Sequence, residues 1–328
     1  MSQNSSQACS TVRGRPVTLR SLARAPADGH AERVDDRTGS PAALAAALRT
    51  TGYLADDDLA TAAFLALKMH RPLFCEGEPG TGKTALAEAI AEALEMPLVR
   101  LQCYEGIDAG QALYDWNFPR QILHLRTLEA AGGGTVRDVD ETEQSLFDER
   151  FLLARPVLRA LRESPAVLLI DEIDRADDEF EAFLLEVLST YQVSIPELGT
   201  IAAVVPPVVV LTSNRTREIH DALKRRCLYH WVEHPGLERE VEIVRSRAPE
   251  VSESLNRQVV TLVQQLRTNE ALLKPPGVAE TLDWARALHA LGTRELDVES
   301  AAATLGAVVK YREDAQRVRA ALDRMLAG

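Results

Sequence analysis

Eight consecutive residues, GEPGTGKT from Gly77 to Thr84, restrict the fold of this chain more than any other stretch. They fit G-x-x-x-x-G-K-[ST], a loop whose backbone N–H groups turn inward around phosphate oxygens. The flanks suit it. An apolar run ends at Cys75 just before the loop, and Leu86, Ile90 and Leu94 share one face of a helical pattern just after it. Gly77, Gly80 and Gly82 give the loop its freedom, and Glu78, Pro79 and Thr81 supply the backbone between them. Lys83 is expected to reach the β- and γ-phosphates of ATP, and the Thr84 hydroxyl to ligate Mg²⁺.

A second stretch, VLLIDEID at residues 167–174, is a buried apolar run that ends in carboxylates. Charges at such a strand end need a partner. Asp171 suits a role holding Mg²⁺ through its water shell, and Glu172 suits a general base for an attacking water. The alternative is an ordinary helix cap, because Asp-Glu also opens helices. In LTSN, the Asn214 amide can bind the same water or a γ-phosphate oxygen, and Ser-Asn is also common turn chemistry.

Around these motifs short apolar runs at residues 73–75, 98–102, 167–170, 208–212 and 229–232 alternate with amphipathic helical patterns. One such pattern places Phe180, Leu184, Val187 and Tyr191 on a single face. This alternation predicts an α/β fold with a five-stranded, mainly parallel sheet covered on both sides. Residues 104–150 interrupt it with an aromatic-rich segment and the run Gly132-Gly133-Gly134, and residues 192–207 read as a hairpin turning near 197–199. After Pro235-Gly236 the strands stop. Leu255, Val259, Leu262 and Leu266, then Leu282, Ala285 and Leu288, then Val318, Leu322 and Met325 mark helical faces. The expected organisation is a polar disordered tail over residues 1–40, an α/β core over 41–235 and an all-helical unit over 236–328. Ser40-Pro41 reads as a helix cap followed by proline at the first helical position.

With 49 acidic against 37 basic residues, the net charge of −12 argues against nucleic acid or an anionic membrane surface as a partner. No apolar stretch approaches the roughly 18 residues of a membrane span. Four cysteines, Cys9, Cys75, Cys103 and Cys227, form no C-x-x-C pair, which predicts reduced thiols in a cytoplasmic protein.

The order of phosphate loop, DE pair, polar strand end, arginine pair and helical lid resembles the AAA+ ATPases. The segment after the second strand, the hairpin before VVVLTSN, and DEIDRADDEFEAFLLEVL are similar to the MoxR branch. Closer still, LQCYEGIDAGQALYDWNFPRQILHLRTLEA, ELGTI, TSNRTREIHDALKRRCLYHW and KPPGVAETLDWARAL resemble its CoxD-like subgroup. The likeness spans about residues 42–290. It implies an AAA+ core with a helical lid domain, ATP and Mg²⁺ as cofactors, and a homo-oligomer, expected as a hexameric ring. It also implies a partner bearing a von Willebrand factor A domain. The client it implies is a protein, here a molybdenum hydroxylase such as carbon monoxide dehydrogenase during maturation. A chelatase-like metal-insertion subunit and a nucleic-acid motor are the alternative readings.

The likeness also gives ALKRRC, residues 222–227, a purpose in an acidic chain. Arg226 aligns with an arginine that enters the neighbouring subunit's nucleotide site, and Arg225 stands beside it. Cations at a helix C-terminus are the other explanation. Arg215 and Arg217 read as solvent-facing. The lid departs from the MoxR pattern: Thr281 falls where an arginine is expected, and Arg286 either replaces it at the nucleotide or is a solvated helix residue. Gln102 either restrains Glu172 or makes a structural bond. Cys103 and Cys227 are candidates for a copper or sulfur role, against the plainer reading as structural thiols.

Overall fold

The computed structural model describes residues 37–131, 145–268 and 272–326. Most of the expected tail and the Gly132-Gly133-Gly134 run lie outside the described residues.

The chain opens with helices α1 (Pro41–Thr50) and α2 (Asp57–Met69). The Ser40 hydroxyl accepts from Ala43 N at 3.1 Å, and Pro41 begins α1, as the sequence predicts. There follow β1 (Leu73–Glu76), α3 (Lys83–Ala93), β2 (Leu98–Gln102), α4 (Ala109–Leu113), β3 (Tyr114–Trp116) and α5 (Phe118–Ala131). Next come β4 (Leu152–Ala154), α6 (Pro156–Arg162), β5 (Val167–Asp171) and α7 (Asp178–Thr190). Strands β6 (Gln192–Ile195), β7 (Gly199–Ala202) and β8 (Val208–Ser213), then α8 (Asp221–Arg226) and β9 (Leu228–Trp231), complete the α/β part. Five helices end the chain: α9 (Leu237–Arg247), α10 (Glu253–Arg267), α11 (Val278–Ala290), α12 (Val298–Val308) and α13 (Arg312–Leu326).

Five strands form one sheet in the order β2-β5-β8-β1-β9, and every pairing is parallel. Alternate residues of each strand feed opposite faces. Leu168 and Ile170 join a core with Phe74, Val209 and Leu211 under α6 and α7. Val167 and Leu169 join the other with Leu73, Cys75 and Val210 under α1, α2 and α3. A third core, from Val241 to Leu322, belongs to the terminal helices and the turns that join them. The interruption after β2 contains an antiparallel ribbon, β3 with β4, and the expected hairpin is β6 with β7, Ile195 facing Gly199.

Several boundaries differ from the sequence expectation for one reason. Glu76, Asp171 and Ser213 are buried polar residues that extend β1, β5 and β8 beyond their apolar runs, because the backbone ladder continues where hydropathy stops. Strand β9 covers Leu228–Trp231 rather than 229–232. Tyr191 lies past the end of α7 with φ +49°, and its hydroxyl donates to His70 O at 2.9 Å.

Candidate functional site

The glycines of the loop are needed by position. A Cβ on Gly77 would stand 2.3 Å from Val232 O, because the chain leaving β1 crosses the end of β9 at van der Waals distance. Gly80 and Gly82 adopt φ of +79° and +92°, where a side chain is strained. Gly80 also packs backbone to backbone on Gly277, the residue before α11, and Val278 N donates to Gly80 O at 2.9 Å. The first turn of a terminal helix is thereby seated on the loop.

Lys83 is buried at the start of α3, with Nζ donating to Gly77 O at 2.8 Å and to Glu78 O at 2.7 Å. Burial lowers its pKa from the usual lysine range, and the nearby Asp174, Glu78 and Asp171 carboxylates oppose that shift. Thr81 closes the loop, its hydroxyl donating to Glu78 O at 3.0 Å.

Asp171 ends β5 almost fully buried. Its Oδ1 accepts from Thr84 Oγ1 at 3.0 Å and from Thr212 Oγ1 at 2.5 Å, and Arg100 Nη2 reaches its Oδ2 at 2.5 Å. Thr84 and Asp171 thus present hard oxygens side by side, the donor type that Mg²⁺ takes together with phosphate and water. Among the described residues no group of three or more His, Cys, Asp and Glu forms a metal cage.

Glu172 does not use its side chain to cap the short 3-10 turn, Ile173–Arg175, that follows it. Its backbone is left-handed, φ +55°, no N–H bonds its side chain as a cap, and its own N–H donates to Thr212 Oγ1 at 2.9 Å. The carboxylate instead meets Asn214 Nδ2 at 3.3 Å, Gln102 Nε2 at 3.2 Å and Arg175 Nε at 2.9 Å. Asp174 shapes the neighbouring turn by accepting from Asn214 N, Thr216 N and Thr216 Oγ1. Three strand ends, β5, β8 and β2, therefore converge on two acids beside the phosphate loop.

The loop floors a cavity of about 700 Å³ between the sheet edge and the terminal helices. Asp171, Glu172 and Asn214 line its polar end, while Tyr53, Leu59, Ile243 and Leu282 supply an apolar wall. Arg286 lines the cavity too, with Nη2 donating to Arg247 O at 2.6 Å and Nε 3.5 Å from Glu250 Oε1. Thr281 points elsewhere. It is fully buried and donates to Glu240 Oε1 at 2.6 Å, within a network where Arg267 grips Glu240 at 2.5 and 2.7 Å. His234 lies at the joint to α9, and burial and then the Arg267 charge push its pKa to about 4, so it is neutral near pH 7.

Arg225 and Arg226 are not brought to this cavity. They end α8 just before Leu228, which pairs with Leu73 at the start of β1, whereas the loop follows the end of β1. Four strand residues separate the two levels, roughly 13 Å of strand. Arg226 Nη1 donates to Ser189 Oγ at 2.5 Å, and Arg71 caps the helix end through Arg225 O and Arg226 O. Arg217 is less solvent-facing than expected. It bonds Ala176 O at 2.6 Å and pairs with the buried Glu181 and with Asp178. Arg215 rests over the Trp231 ring at 5.8 Å. Burial pushes both Cys103 and Cys227 to about 12 and keeps them protonated, which suits structural thiols rather than metal ligands.

Sequence reasoning missed Arg100, Arg175, the hydroxyl of Thr212, Gly277 and the apolar wall. Only Arg100 left a signal: it interrupts an apolar strand two residues before Gln102, hence on the same face.

Residues 73–232 match the family model "ATPase family associated with various cellular activities (AAA)". The chain is 22% identical over 219 residues to an uncharacterised protein of Staphylococcus haemolyticus, covering 65% of this chain and 74% of that protein. It is 21% identical over 228 residues to one of Staphylococcus saprophyticus, covering 67% and 78%. Among solved structures, the RuvB Holliday junction branch migration motor of Thermotoga maritima aligns with a TM-score of 0.42 at 15% identity, over 79% of this chain and 67% of that one.

Proposed function

Because residues 73–232 form an AAA+ core that binds and hydrolyses ATP, we propose that the chain is a cytoplasmic, ring-forming remodeller of the MoxR type. The observation that carries the ring is the distance between the two halves of the chemistry. Arg225 and Arg226 lie at the end of the sheet away from their own cavity, exposed where a second copy of the chain could use them. A hexamer closes such a head-to-tail contact by rotation.

Within one cavity the roles follow from the contacts. Lys83 exchanges its carbonyl partners for β- and γ-phosphate oxygens, and Gly77 to Thr84 orient the remaining phosphate oxygens by backbone N–H groups. Thr84 and Asp171 would hold Mg²⁺, which would supply charge neutralisation at the phosphates. Glu172 accepts the proton of the attacking water, and Asn214, bonded to that carboxylate, orients it. Arg226, with Arg225 beside it, enters the neighbouring cavity and stabilises charge developing on the γ-phosphoryl group. Arg286 stands at the cavity wall as the lid's candidate contact.

The CoxD-like resemblance, together with the ribbon after β2 and the hairpin before β8, supports a protein client. We assign that client to molybdenum hydroxylase maturation, with a von Willebrand factor A domain protein as partner. The test is capture by a Glu172→Gln variant loaded with ATP, followed by identification of the retained molecules. A hydroxylase or a von Willebrand factor A protein is expected. Retention of a metal-insertion complex would favour the chelatase-like reading. Retention of DNA or RNA would replace the remodeller with a nucleic-acid motor.

A further inference from the structure

Strand β2 makes a contact that the chemistry above leaves unused. Arg100 and Gln102 share one face of β2, and the register sets Gln102 beside Asp171. Arg100 Nη2 is 2.5 Å from Asp171 Oδ2 and 2.7 Å from Gln102 Oε1, and Gln102 Nε2 in turn is 3.2 Å from Glu172 Oε2. Asp171 Oδ1 is already taken by Thr84 and Thr212, so the guanidinium holds the other oxygen. The two partners differ sharply in exposure: the Asp171 side chain is 3% exposed, that of Arg100 49%. The carboxylate is fixed. The arginine, half in solvent, has room to leave.

We propose that Arg100 is a positioning residue that competes with Mg²⁺ for Asp171 and so sets the metal concentration at which the core holds nucleotide. The inference rests on the ATPase reading and adds to it a restraint on the metal site. One carboxylate cannot serve a guanidinium and a hydrated dication at full strength, and a fixed positive charge beside the dication disfavours its arrival. Because the Arg100 side of the pair is half in solvent, the competition is graded rather than a block. Through Gln102 the same guanidinium is linked to Glu172, so its departure loosens the hold on both acids.

The experiment uses the full chain and fluorescently labelled ADP, whose binding needs no hydrolysis, with Mg²⁺ titrated at fixed nucleotide. Arg100→Ala should lower the half-saturating Mg²⁺ concentration by about fivefold, the upper end for an ion pair whose arginine is half in solvent. Metal-free ADP affinity should stay at the parent value. Arg100→Lys keeps the charge but not the forked geometry, so its shift should be smaller. Thermal melting of each variant separates a changed metal response from a damaged fold, and Arg100→Gln replaces any variant that melts early. An Arg100→Ala or Arg100→Gln response equal to the parent's, or a higher Mg²⁺ requirement, overturns the competition alone. A parent chain whose ADP binding ignores Mg²⁺ overturns the metal site itself, and the competition with it.

Discussion

At the carboxyl ends of β5, β1 and β8 the chain gathers a phosphate loop, two acids and an amide around one cavity. At the amino ends of β1 and β9 it leaves two arginines exposed at the end of a six-residue helix, their carbonyls capped by Arg71. The first region is crowded with internal contacts: each carboxylate oxygen of Asp171 and Glu172 has a partner. The second is held by its backbone and by Ser189, so its charges face outward. A parallel sheet enforces this division, because loops at opposite ends of the strands cannot share a site within one chain. The contrast sharpens the proposal: if it holds, one chain suffices to bind nucleotide, whereas fast hydrolysis needs an arginine from a second.

The largest expected effects lie at the carboxyl end. Lys83→Ala should abolish ATP binding, since its ammonium is the buried cation of the loop. Glu172→Gln should keep parent-like affinity and lose about 10²- to 10⁴-fold in turnover, the range that general-base catalysis supplies. Nucleotide titration and steady-state phosphate release measure both. Hydrolysis by Glu172→Gln at the parent rate would remove Glu172 from its role.

Arg226→Ala tests the other end. ATP affinity should remain near the parent value because the loop is untouched, while hydrolysis falls by about 10³-fold. Mixing this variant with Lys83→Ala should restore part of the activity, because one interface then pairs an intact cavity with an intact arginine. A flat response across mixing ratios, with subunit exchange demonstrated, would return the basic run to a helix-end feature.

The same division explains what the sequence disclosed. Gly77 to Thr84, Asp171-Glu172 and Asn214 were legible because each is a short motif whose flanking strand and helix are visible in hydropathy. The parallel five-stranded sheet followed from the alternation alone. Contacts between distant segments were not legible: Gly80 meets Gly277 and Thr281 meets Glu240 only once the terminal helices dock. Thr281 is instructive. By resemblance it occupies an arginine's place, yet it is buried against a charged pair, so the local pattern hid a structural hydroxyl. Arg217 hid a partner in the same way, because Glu181 lies on another helix and is itself buried.

A prediction at the terminal helices separates stability from chemistry. Arg267→Ala leaves the fully buried Glu240 carboxylate with only Gln264 and Thr281 as donors. Losing one partner of a buried pair costs about 3–5 kcal/mol. The terminal helices should melt earlier in calorimetry, while the α/β core keeps its own transition. Unchanged melting would show that the Glu240 network contributes little to holding these helices together.

The smallest effect is expected from Arg286. Its guanidinium lines the cavity, but Nη2 is bound to Arg247 O and Nε faces Glu250, so its donors are already engaged at the end of α9. To meet a phosphate it must give up those contacts. Its side chain is about half exposed, where each such contact is worth little. Arg286→Ala should therefore raise the KM for ATP by no more than about threefold and leave kcat near the parent value. A large fall in kcat would instead make the lid a third contributor to hydrolysis. The carboxyl-end cavity would then be completed by its own helices before any neighbour supplied an arginine, and the contrast between the two ends of the sheet would narrow.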